Sequence, residues 1–350
     1  VKKVLIICSC IWTTAFAGAE SIHGVPSAPG WTYHGIIVDR GAPDAWDGST
    51  GALIAGLTQK KDTYYMYYLR GFRGRWEPDR KGSHTSVGLA TSTDGIHWSK
   101  HPDPVMIPHD FLDPVTSHEE GIRHGAIRYV PELGKFIAYL GIDVAAQPST
   151  NSSPYRVFEQ GRGDVEVDSH IYYAESDDGI HWSPKGRVEG AWNRPGDETT
   201  ARAFLYHNGT YFLWAQKAQG RTELGQSIYV SSGTDPLRLD EKARLYAFKN
   251  SPLPNELNDV YLQPDGKTVT LLVKTETDWH EGGLALGTSS LTNLVEQGHW
   301  ESFFPKTEKI WHGKIHHDAK QNRWLMVTVQ NDLRDIVAYT AASPRSKDEL

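Results

Sequence analysis

Ser92-Thr93-Asp94-Gly95-Ile96-His97-Trp98 recurs further along the chain as Ser176-Asp177-Asp178-Gly179-Ile180-His181-Trp182. An alternating apolar run leads into each copy, Val87 to Ala90 in the first and Ile171 to Ala174 in the second, and Ser99-Lys100 or Ser183-Pro184 follows. Each unit reads as strand, Asp-Gly turn, strand. A hairpin that repeats makes a repeat architecture the first question to ask of the whole chain.

Working outward, an aromatic or apolar strand recurs at Thr63–Tyr68, Lys135–Tyr139, Thr210–Trp214, Thr268–Leu272 and Arg323–Val327. Four of these follow a turn pair, namely Lys61-Asp62, Leu133-Gly134, Asn208-Gly209 and Gly266-Lys267. A further strand follows each of the five: Ser86 to Thr91, Ser169 to Glu175, Gln226 to Ser231, Gly283 to Thr288 and Asp335 to Thr340. Five four-stranded units predict an all-β fold, a five-bladed β-propeller of antiparallel blades, because radial repetition leaves few exposed strand edges. The orphan strand Trp31 to Asp39 is then expected to supply the outer strand of the last blade. No stretch holds apolar spacing of three and four residues for long enough to make a sustained helix. A two-sheet sandwich is the structural alternative.

The 350 residues include 12 Trp and 16 Tyr, ample for a packed core. Lys2 and Lys3, the apolar run Val4 to Ala17 and the small residues up to Ala19 predict a signal peptide over residues 1–19, followed by a Pro- and Gly-rich linker over 20–30 and a propeller over 31–345. Cys8 and Cys10 both fall in that leader, so the expected mature chain has no disulfide or thiol chemistry. Loss of Lys2 and Lys3 takes the formal charge from −7 to −9, which disfavours nucleic acid and anionic membrane as partners. A secreted or periplasmic protein, monomeric or a small homo-oligomer, is expected. The final Lys347-Asp348-Glu349-Leu350 spells an endoplasmic-reticulum retention signal, read as coincidental beside a cysteine-free mature chain and a Val1 of the kind an alternative bacterial start codon gives.

With these units in hand, the chain resembles the five-bladed propeller glycoside hydrolases, the superfamily of families 43, 32, 62, 68 and 117. The resemblance rests on Tyr64–Tyr68, Gly88–Trp98 and Asn208–Leu213 and spans nearly all of the expected mature chain. It implies cleavage of glycosidic bonds in oligo- or polysaccharides, with inversion, by three carboxylates at the axis near the starts of innermost strands: a base on the first blade, a carboxylate that tunes the acid about two blades on, and an acid one blade later. Asp94 and Asp178 are expected to bond the backbone of their own turns instead. A phosphorylase of related fold, using Arg123, Arg194 or Arg202 for phosphate, and a non-catalytic glycan-binding propeller are the alternatives.

On the first blade Asp47 is the expected base, although it lies seventeen residues before Tyr64 and its loop would have to fold back toward the axis. On the third, Asp197 or Glu198 is the tuning carboxylate. Period-two alternation puts Glu198 and Arg202 on one face and favours Glu198. On the fourth, Glu256 is the expected acid, with Asp259 the other choice. Glu120 on the second blade is a reserve acid, and Trp46, His124 and Arg202 are candidate sugar contacts, with Trp76, Trp192 and Trp279 as further aromatics. No cofactor is required by this chemistry. His316 is the candidate ligand for a calcium ion in the channel, as in some members of the superfamily.

Overall fold

The computed structural model describes residues 30–42, 45–48, 52–70, 85–112, 120–145, 167–190, 198–218, 226–245, 256–274, 284–297, 301–302, 311–330 and 335–343. The first strand in the chain, β1 (Thr32–Val38), belongs to the last sheet. The first blade is β2 (Leu53–Lys60), β3 (Thr63–Arg70), β4 (Ser86–Ser92) and β5 (Ser99–Lys100), in that order from the axis outward. The second is β6 (Glu120–Val130), β7 (Lys135–Ala145), β8 (Val167–Ser176) and β9 (Ser183–Arg187). The third is β10 (Glu198–His207), β11 (Thr210–Ala218), β12 (Gln226–Asp235) and β13 (Arg238–Leu245). The fourth is β14 (Glu256–Leu262), β15 (Thr268–Lys274), β16 (Leu284–Ser290) and β17 (Glu301–Ser302). The fifth is β18 (Trp311–Asp318), β19 (Arg323–Gln330) and β20 (Asp335–Ala341), completed by β1, which pairs antiparallel with β20 through Thr32 opposite Thr340. Each innermost strand touches the next, and β18 returns to β2, so the ring is closed.

Five hydrophobic clusters fill the five seams, one between each pair of neighbouring blades. A two-sheet sandwich has a single core, so this arrangement rules it out. It also explains the aromatic strands. A blade is covered on both faces, so the interior strands lose the polar alternation of a half-exposed sheet: five of the eight residues of β3 in a row, Met66 to Arg70, are buried.

The repeated hairpins join the blades at their outer side. Ser92 Oγ accepts the Gly95 N–H at 2.8 Å, and Asp94 Oδ1 accepts those of Ile96 and His97, both at 2.8 Å. The second copy repeats these bonds through Ser176 and Asp178. The closed turn then offers its carbonyls to the preceding blade. Tyr67 on β3 donates its hydroxyl to Gly179 O at 3.0 Å, Lys60 donates to Asp177 O at 2.6 Å, and Arg323 of the fifth blade donates to Asp94 O. Gly179 sits at φ 83°, and a Cβ there would lie 2.5 Å from the Tyr67 hydroxyl, so both the turn and the seam require glycine. The third blade has no such motif, yet Tyr139, at the position of β7 that Tyr67 holds in β3, donates to Pro236 O at 3.2 Å. On the fourth blade a short helix, α1 (Leu291–Gln297), takes the place of the hairpin and buries Leu291, Leu294 and Val295 against Trp214, Ile228 and Val230 of the third. Seven residues are too few for the periodic pattern that reveals a helix in sequence.

Candidate active site

Every innermost strand carries one register shift against its neighbour, at Ile54/Gly56, Ile122/His124, Ala201/Ala203, Leu257/Asp259 and Trp311/Gly313. At these shifts the ladder register skips Ala55, Arg123, Arg202, Asn258 and His312. A bulge of this kind bends the strand and re-aims a side chain, which is why bulges gather beside functional sites. Four of the five residues are polar, and Arg202, Asn258 and His312 are buried.

These side chains meet. Arg202 Nη1 donates to His124 Nδ1 at 3.1 Å, which leaves the ring proton of His124 on Nε2. The His124 and His312 rings lie 5.5 Å apart, and His312 Nδ1 donates to Asn258 Oδ1 at 3.1 Å. Lys314, one turn of the pleat below His312, is buried and donates to Arg202 O at 2.5 Å and to Asn258 O at 2.6 Å, tying the third, fourth and fifth blades together. Burial, and then the charges of Arg202, His312, Arg123 and Lys314, hold His124 well below the usual histidine value, so its ring is neutral. Burial likewise lowers Lys314 to about 8.

Deeper in the channel Arg128 pairs with Asp259 at 2.6 Å. Asp259 also accepts the N–H groups of Val260 and Ile315, each at 3.0 Å, so its carboxylate serves as a clasp between blades. His316 Nε2 lies 3.2 Å from Gln59 Oε1, and its ring stands edge-on to Tyr64 and Tyr261. Burial, and then the Arg128 charge, lower His316 to about 3. One imidazole and one amide oxygen beside a guanidinium do not fit calcium, which takes six to eight oxygens. Among the described residues no group of three His, Cys, Asp or Glu side chains is placed to hold a metal.

The residues singled out in the sequence fall in different places. Glu120, Glu198 and Glu256 are the first described residues of β6, β10 and β14, the innermost strands of three successive blades, and come just before the bulges at Arg123, Arg202 and Asn258. Arg202 and His124 stand together as above. Asp47 does not join them: Lys100, on the outermost strand of the first blade, donates to its carboxylate at 2.8 Å, and only 5% of the residue is exposed. Its carbonyl takes Arg70 at 3.2 Å, so the loop closes against the blade and does not fold toward the axis. Trp46 packs against the first blade. It stacks on Tyr68 with ring centroids 6.1 Å apart, covers Gly88, and donates Nε1 to Pro102 O at 3.0 Å. Asp197, Arg194, Trp76, Trp192 and Trp279 lie outside the described residues. Asn258, His312, Lys314 and Arg128 went unnoticed in the sequence. Their one signal is polarity inside strands that are otherwise buried, as in Trp311-His312-Gly313-Lys314.

No protein-family model matches the chain, and no curated protein matches it in sequence. Solved structures do match in fold. A glycosyl hydrolase from Bacteroides ovatus is 12% identical with a TM-score of 0.59, over 91% of this chain and 96% of that one. A GH130 structure, from a family of mannoside phosphorylases that contains hydrolases of β-1,2 mannosidic linkages in Candida mannan, is 11% identical with a TM-score of 0.54, over 90% and 94%. A GH43 β-1,3-galactosidase is 12% identical with a TM-score of 0.53, over 89% and 93%. The chain therefore shares the five-bladed propeller of the GH43 and GH130 glycosidases.

Proposed function

We propose that this protein is an exported glycoside hydrolase that cleaves oligo- or polysaccharides by general acid and base catalysis at the axial end of its innermost strands. The observation that carries the reading is the position of Glu120, Glu198 and Glu256 just before the bulges of β6, β10 and β14, in a propeller whose fold glycosidases share. Glycosidic cleavage needs one protonated carboxyl at the leaving oxygen and one ionised carboxylate at the attacking water. In this reading Glu256 is the acid. It is preferred to Asp259, whose oxygens are taken by Arg128, Val260 and Ile315. Glu198 is the tuning carboxylate: a negative neighbour raises the pKa of an acid and keeps it protonated for its task. Glu120 replaces Asp47 as the group that activates water, because Asp47 is already neutralised by Lys100 and has little access to solvent.

The test is a screen of the purified protein against arabinan, xylan, fructan, galactan and mannan oligosaccharides, repeated with Glu198→Gln and Glu256→Gln. Turnover by the wild type, reduced by orders of magnitude in both folded variants, supports the reading; equal turnover in all three overturns the site.

A further inference from the structure

Lys314 spends its side chain on two carbonyls that belong to other blades. From β18 of the fifth blade, Nζ donates to Asn258 O on β14 of the fourth at 2.6 Å and reaches past it to Arg202 O on β10 of the third at 2.5 Å. Both acceptors are residues that the ladder register skips, Arg202 between Ala201 and Ala203 and Asn258 between Leu257 and Asp259. The bonds therefore fall where the ladder of each innermost strand is locally disrupted and holds the backbone least. Lys314 is buried, and Asp259 offsets part of the cost of its charge, although the Asp259 oxygens are held by Arg128, Val260 and Ile315. Burying an ammonium is costly, and a methionine would fill much the same space without that cost. Packing alone does not call for a lysine here.

What the two bonds fix is a separation. Glu198 lies four residues before Arg202 on β10, and Glu256 lies two residues before Asn258 on β14. One ammonium that holds both bulges therefore holds, relative to each other, the two backbone segments that carry these glutamates. The coupling of an acid to its tuning carboxylate depends on their distance, and so does the aim of the acid at the leaving oxygen. Resting on the glycoside hydrolase reading above, we propose that Lys314 is a positioning residue: by clasping Arg202 O and Asn258 O it keeps the bulges of β10 and β14, and with them Glu198 and Glu256, in the arrangement that general acid catalysis requires. It touches no substrate and carries no proton in the reaction. Its whole effect passes through the backbone to the acid.

A residue that works through the acid loses its effect once the acid is gone, which a double-mutant cycle reads directly. Wild type, Lys314→Met, Glu256→Gln and the double variant are compared on one sugar carried by a sugar alcohol and by dinitrophenol, a leaving group that needs no proton, with activity expressed per folded molecule. Lys314→Met should lower kcat/KM on the sugar linkage by about tenfold to a hundredfold, the cost of a misplaced catalytic group, and chiefly through kcat. On the dinitrophenyl glycoside the loss should stay below about threefold, and in the Glu256→Gln background Lys314→Met should add less than about threefold on either substrate. Lys314→Gln, whose donor stops one bond short of the carbonyls, should show the same selective loss, and it replaces Lys314→Met in the cycle if that variant does not fold. Equal losses on the two aglycons, no loss on either, or losses that multiply in the double variant overturn the proposal and leave the hydrolase reading standing. Absence of turnover by wild type on every glycoside overturns that reading, and the proposal with it.

Discussion

Arg128 of the second blade reaches past the third to Asp259 of the fourth, closing a 2.6 Å ion pair across the axis with both side chains nearly inaccessible to solvent. Asp259 also holds the backbone of β14 and β18 through Val260 and Ile315. Removing one partner leaves an uncompensated buried charge. Arg128→Met should therefore destabilise the fold by about 3–5 kcal/mol. Urea unfolding monitored by tryptophan fluorescence measures it, and a loss below about 1 kcal/mol would mean that the pair behaves as a surface contact.

Lys314 gives a pH dependence of known sign. Its folded value is about 8 against 10.5 for the free side chain, because burial disfavours the ammonium form. Below pH 8 the group is charged in both states and the folded state bears the full burial cost. Between about 8 and 10.5 the unfolded chain binds more protons than the folded one, so stability contributed by this residue rises with pH. Melting temperatures of wild type and Lys314→Met, compared from pH 7 to 9.5, should show the wild type gaining on the variant. Parallel curves would contradict it, and ionisation of buried tyrosines, common to both proteins, cancels in the difference.

The repeated hairpins should matter for stability and not for turnover. Burial alone would raise the Asp94 carboxyl, but bonds from the His97 ring, the N–H groups of His97 and Ile96 and the Ser92 hydroxyl outweigh it and hold the group far below 3.8. Asp178 repeats the pattern. The stabilisation is present above pH 3.8 and is lost as pH falls toward the folded value. Asp94→Ala and Asp178→Ala should each cost about 1 kcal/mol, discounted for their partial exposure, through lost turn bonds. Activity per folded molecule should stay within twofold; a loss of tenfold or more would relocate the chemistry to the hairpins.

Asp47 and Glu120 make opposite predictions. If Asp47 serves the rim of the first blade, Asp47→Asn weakens its bond to Lys100 and leaves turnover within a few-fold, while Glu120→Gln lowers turnover by 10²-fold or more, the usual contribution of a general base. Steady-state kinetics of the two variants, each with its melting temperature, decide between the residues. The reverse result restores Asp47.

Much of the fold was legible in residue order. Alternation, Asp-Gly turns and aromatic strands such as Thr63–Tyr68 report local backbone geometry and two-sided burial, and the orphan strand at 32–38 had no partner in its own neighbourhood. The site was harder to read. The bulges at Arg202, Asn258 and His312 arise from how twisted strands converge on an axis, and no local pattern marks them. An Asp-Gly pair ahead of a strand looks the same whether its carboxylate faces a substrate or, as that of Asp47 does, pairs with Lys100, fifty-three residues away. A tryptophan in a loop likewise carries no sign of the Gly88 notch that receives Trp46.

The central claim, that Glu256 protonates the leaving oxygen, is tested most directly by changing what leaves. Kinetics of wild type and Glu256→Gln are to be measured on one sugar carried by two aglycons, a sugar alcohol and a dinitrophenol. The phenol departs without a proton, so general acid catalysis is dispensable for it. The account predicts a loss of 10³-fold or more in kcat/KM on the sugar linkage and less than tenfold on the dinitrophenyl glycoside. An equal loss on both, or no loss on either, would contradict it.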